Sequence, residues 1–76
     1  MTFTTDTFTL DNGHKASIEW HKEGAYTAEM WIDNGTNTVG YNDIVFRSTY
    51  ATREKATAAI RRKARAMGAT ATHNGI

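Results

Sequence analysis

Lys55, Arg61, Arg62 and Arg65 recur at spacings that gather their charges along one side of a helix. Fixed cations of this kind hold phosphates or carboxylates rather than activate a bond, and arginine presents a planar fork to either anion. The plainer alternative is a wet helix face whose cations only keep the chain in solution. A second group is Trp31 with Glu19 and Glu29, which occupy the polar phase of two alternating runs. An indole at a position where the alternation calls for a polar side chain is a usual interface anchor, and carboxylates beside it suit a basic partner. The competing reading inverts the register, making Trp31 core and Tyr26 exposed, or covers the indole with the carboxyl-terminal tail or a second copy.

The remaining reactive types do not assemble into chemistry. His14, His21 and His73 lack a metal-ligand spacing, and there is no cysteine to support them. Ser17 and Ser48 have no recognisable base or orienting group, and no glycine-rich phosphate loop joins a strand to a helix. The sequence therefore carries no catalytic set, no metal site and no cofactor site, and the expectation is a protein that is not an enzyme. Asn34-Gly35-Thr36 matches a glycosylation triplet, but the chain opens with neither a basic nor an apolar run, so the triplet is set aside and a cytoplasmic location in a host cell is expected.

These residues must be positioned by a small frame. A chain of 76 residues folds as one domain and buries only roughly 60–70% of the surface its unfolded form exposes, which favours a binding surface over a deep cleft. Phe3 to Leu10 reads as a strand of threonines with Phe8 and Leu10, closed by the turn Asp11-Asn12-Gly13. In His14 to Lys22, Ala16, Ile18 and Trp20 alternate with polar residues. Tyr26, Ala28, Met30 and Ile32 do the same before Asp33-Asn34-Gly35. Ile18, Trp20, Met30 and Ile32 then face inward, while Lys15, Glu19, His21, Thr27, Glu29 and Trp31 share an acidic, partly aromatic outer face. A fourth strand over Thr38 to about Arg47 changes phase near Asn42-Asp43, as a bulge would make it do.

After Tyr50 the period becomes helical. Thr52 is the expected N-cap, Glu54 suits the first turn, and Ala56, Ala59, Ile60, Ala64 and Met67 form one stripe ended by Gly68. Ala69 to Ile76 either frays or adds an edge strand through Thr70 and Thr72. The expected fold is α+β, a four-stranded antiparallel sheet with one carboxyl-terminal amphipathic helix on one face, a ββββα two-layer sandwich. Residues 1–47 form the sheet, 52–68 the basic helix and 69–76 the tail of a single domain.

Charge is divided between the two layers. Residues 1–46 hold seven acids and two bases, whereas residues 47–76 hold seven bases and one acid, so a net charge of +1 conceals two opposed surfaces. No run approaches the roughly 20 apolar residues of a membrane span. In length, in the Asp11-Asn12-Gly13 and Asp33-Asn34-Gly35 hairpins and in the Thr52 to Gly68 helix, the chain resembles the small phage-encoded inhibitors called anti-CRISPR proteins. That resemblance implies a protein that binds a Cas surveillance complex and blocks recognition of target DNA.

Two partner classes follow from the charges themselves. In the first, the domain is an inhibitor docked on a protein or nucleoprotein partner through Arg61, Arg62 and Arg65 or through the acidic sheet face. In the second it is a nucleic-acid-binding module that lays the helix against phosphates, an arrangement the acidic face opposes. Basic and acidic layers on one chain also admit a homodimer beside a monomer.

Overall fold

The computed structural model describes residues 2–32 and 43–74. Strands β1 (Thr2–Leu10), β2 (His14–His21), β3 (Tyr26–Ile32) and β4 (Asp43–Tyr50) are followed by helix α1 (Arg53–Ala66) and a short strand β5 (Ala71–His73). The sheet has the order β4-β3-β2-β1-β5, and all its pairings are antiparallel. Among the described residues the fold is thus α+β with one helix, but the sheet has five strands rather than four. The tail supplies the fifth by pairing Ala71, Thr72 and His73 with Leu10, Thr9 and Phe8. It can do so because α1 carries the chain back across the sheet and delivers it to the free edge of β1.

The turns form where the sequence supplies residues tolerant of positive φ. Gly13 sits at φ 92° and donates its N–H to the Leu10 carbonyl, and Gly24 sits at φ 93° with the same bond to His21. The expected Asp33-Asn34-Gly35 turn and the Thr38 to Asn42 part of the fourth strand lie outside the described residues. The described part of β4 continues three residues past Arg47, to Tyr50.

The register places Ala16, Ile18 and Trp20 on the helix side, opposite Met30, Ala28 and Tyr26 of β3, and so sends Lys15, Glu19, Glu29 and Trp31 to the other face. Two irregularities then shift the phase of the outer strands. One falls between Thr4 and Asp6, and it lets both Phe3 and Asp6 face the helix side. The other falls at Val45, between the pairs Met30–Phe46 and Trp31–Ile44, later in the chain than the Asn42-Asp43 expected from the pattern.

Helix α1 begins where a side chain can cap it. Thr52 is extended (φ −133°, ψ 156°) and its Oγ1 accepts from the Lys55 N–H at 3.1 Å. Gly68, at φ 73°, ends it, with the Gly68 and Ala69 N–H groups donating to the Arg65 and Ala64 carbonyls. Ala56, Ala59, Ile60 and Ala64 are buried against Phe8, Leu10, Ile18 and Met30 of the sheet. Alanine gives little apolar area but lets the helix backbone lie close to the sheet, so Ile60 is the only large helix side chain fully buried in this core.

Candidate functional site

The close seat of α1 leaves a groove of about 810 Å³ between the helix and the β1–β5 edge. Arg53, Arg61, Arg62 and Arg65 line its helix side, and Asp6 and His73 its sheet side. Four residues along a helix are about 6 Å of rise, so Arg53, Arg61 and Arg65 follow one line of the helix surface at steps of about 12 and 6 Å. Arg61, Arg62 and Arg65 are exposed. Among the described residues no carboxylate lies within ion-pair distance of them. Glu54 is the groove's one exposed carboxylate, at its far end.

Lys55, expected beside the three arginines, is exposed but does not line the groove, because it projects from the other flank of the first turn. Arg53 takes its place, and sequence reasoning missed it. Arg53 and Asp6 form the most tightly organised polar cluster among the described residues. Arg53 donates from Nε and Nη2 to the two Asp6 carboxylate oxygens at 2.7 and 2.6 Å. Thr5 Oγ1 donates to Oδ2 at 2.8 Å, and His73 Nε2 donates to Oδ1 at 2.6 Å.

Asp6 is only 2% exposed. The Arg53 guanidinium, with His73 and Thr5, holds its carboxyl well below the usual carboxylate range against the opposing effect of burial, and the carboxylate in turn raises the Arg53 pKa. The fork pins the start of α1 and the tail strand to β1 at one atom pair, so the arginine line is held in fixed relation to the sheet. His73 also meets the Phe8 ring edge-on, with centroids 5.2 Å apart. It is thus an exposed histidine that is also a partner of Asp6.

The signals for this cluster were present in the sequence. Asp6 is in phase with Phe8 and Leu10, and a charge on the core-facing phase of a strand requires a partner. Arg53 occupies the first helical turn, where the dipole disfavours a cation unless an anion answers it.

The outer sheet face brings Glu19, Glu29 and Trp31 together as the alternation indicates, but it is not an acidic surface. The bulge at Val45 puts Arg47 opposite Glu29, where its Nε stands 3.6 Å from Oε2, and Lys15 pairs in register with Trp31. Two glutamates therefore share the face with a lysine and an arginine. Trp31 is half-buried in the row Lys15, Trp31, Ile44. Thr27, buried on this face, bonds His21 Nε2 at 2.6 Å and Thr49 Oγ1 at 3.2 Å. A homodimer built on opposed charge has correspondingly less to draw on.

Among the described residues no group of three or more His, Cys, Asp or Glu side chains is placed to hold a metal ion, and no helix is long and apolar enough to cross a membrane. No protein-family model, no curated protein and no solved structure matches this chain.

Proposed function

We propose that the domain is a small non-enzymatic inhibitor of the anti-CRISPR kind, which docks its arginine groove on a host nucleoprotein complex and so blocks recognition of target DNA by a Cas surveillance complex. One observation carries the reading. Three guanidinium groups, with no carboxylate among the described residues in ion-pair reach, stand on a capped helix that is locked to the sheet at Asp6. Exposed and without such a partner, they are available to an external anion that docks in the groove and answers the desolvation that docking itself imposes. The groove is open along its length, so it suits an extended anionic surface rather than a small substrate.

The test is inhibition itself. Reconstituted Cas surveillance complexes are titrated with the purified domain, and binding of target DNA is followed by mobility shift. Target binding is expected to fall as the domain is added, and the variant carrying Arg61→Glu, Arg62→Glu and Arg65→Glu is expected to lose the effect by at least tenfold with an unchanged melting temperature. Equal inhibition by the variant would remove the groove from the account.

A second reading, a nucleic-acid-binding module, is favoured by the Glu29–Arg47 pair. That pair cancels part of the negative field that would repel a phosphate backbone. On this reading free DNA is bound, and its affinity falls steeply between 50 and 200 mM salt.

A further inference from the structure

On the helix side of the sheet, at the end where α1 begins, four aromatic residues stand in one row across four strands. Phe3 pairs with Trp20, Trp20 with Tyr26, and Tyr26 with Tyr50. Tyr26 and Tyr50 pack on the core as half-buried residues. The outer end of the row is different. Phe3 is 53% exposed, and its ring is stacked on Trp20 with centroids 5.7 Å apart and planes 19° from parallel. The bulge between Thr4 and Asp6 produces this arrangement, since without it Phe3 would face away from Trp20.

The row leads toward the groove. Asp6, which lines the groove, follows Phe3 along the same face of β1 and holds the guanidinium of Arg53. An exposed aromatic step thereby shares the helix side of the sheet with the Asp6–Arg53 fork, from which Arg61 and Arg65 run on along the helix.

We propose that this combined surface binds single-stranded nucleic acid, with an unpaired base stacked on Phe3 and the following phosphates laid along Arg61 and Arg65. The inference rests on the reading of the groove as the docking surface and names its occupant: the single-stranded component of the nucleoprotein partner, not an acidic stretch of its protein. The two features have different ligands when taken singly. Guanidinium groups accept carboxylate and phosphate alike, but a flat exposed ring pair at the end of the line adds nothing for an acidic peptide and offers every base a stacking partner. A duplex keeps its bases stacked inside and has no use for the ring. A strand with splayed bases satisfies both features at once.

The test uses a fluorescein-labelled single-stranded 15-mer of mixed sequence, the same sequence as a duplex, and polyglutamate as competitor. Binding is read by anisotropy at several salt concentrations. Trp20 emission is read in a Trp31→Phe background, because the second tryptophan lies on the opposite face. The single strand is expected to bind more tightly than the duplex and to quench Trp20. Phe3→Ala is expected to weaken it by about tenfold, Phe3→Tyr is expected to retain it, and Arg61→Gln with Arg65→Gln is expected to lower the salt slope by about 1.4.

Phe3 is half in water, so its replacement leaves the core intact, and a thermal melt checks this. Equal affinity for duplex and single strand, or a Phe3→Ala variant that binds as the parent does, would overturn the proposal. So would displacement by polyglutamate with no change in Trp20 emission. Inhibition of Cas complexes that persists and still needs Arg61, Arg62 and Arg65, with no binding of the 15-mer, would also overturn it while leaving the docking reading standing.

Discussion

Replacing Asp6 by alanine is expected to cost about 2–3 kcal/mol of folding free energy, read as a shift in the urea midpoint at pH 7 with little change in slope. The carboxylate is buried and accepts four hydrogen bonds, two from Arg53 and one each from Thr5 and His73. Breaking a buried pair costs roughly 3–5 kcal/mol when the surviving charge stays buried. Here Arg53 is 51% exposed in its side chain and water recovers part of that, which places the expectation at the lower end. The loss is also local in character. With Asp6 gone, β5 loses its tie through His73 to α1 and keeps its short ladder to β1, the His73–Phe8 ring contact and the flanking bonds of Thr70 and Asn74, so the amides of Ala71–His73 are expected to exchange faster than those of β2 and β3.

Acid tests the same cluster through its proton. The folded pKa of Asp6 is depressed below its ordinary value of 3.8, so protons bind the unfolded chain before the folded one. The stabilisation is therefore full above about pH 5 and shrinks as pH falls through 4 and lower. Asp6→Asn is expected to flatten this limb of the stability curve. An acid limb identical to that of the parent would show that Arg53 does not stabilise the charge.

The parts of the fold fixed by short-range rules were legible in the sequence. Alternation assigned Ile18 and Met30 to one face and Glu19 and Glu29 to the other, because a one-residue slip in either strand would have buried a carboxylate. The hydroxyl at Thr52, the alanine spacing and Gly68 defined the helix for similar local reasons. The failures concern what the chain does only after it closes. A three-residue strand such as Ala71–His73 has too little pattern to decide between a frayed tail and the edge strand, and it forms because β1 offers an open edge. The bulges at Thr5 and Val45 reassign Phe3 and Ile44 to new faces, and nothing in a run of threonines or in Ile44-Val45-Phe46 marks which residue is extra. Both bear on the surfaces proposed for docking. One hid the pairing of Phe3 with Trp20 on the helix side, and the other hid Ile44 beside Trp31 on the outer face.

Ile60→Ala is expected to be the most damaging single change in the helix, costing about 3 kcal/mol. The side chain is fully buried and no other helix residue of its size reaches the core. Its alanine neighbours Ala56, Ala59 and Ala64 have no spare length with which to fill the cavity. A chain of 76 residues has a total stability of roughly 4–11 kcal/mol, so this one loss consumes a large part of it. The measurable consequences are a melting temperature lower by about 10 °C or more and loss of helical ellipticity in the same transition. Anion binding by the groove is expected to fall in step with the unfolded fraction and to recover on cooling, because the arginines are unchanged and only their platform is lost. A variant that keeps its melting temperature would show that the arginine line is held by the Asp6–Arg53 fork alone, with the alanine stripe contributing contact but not anchorage.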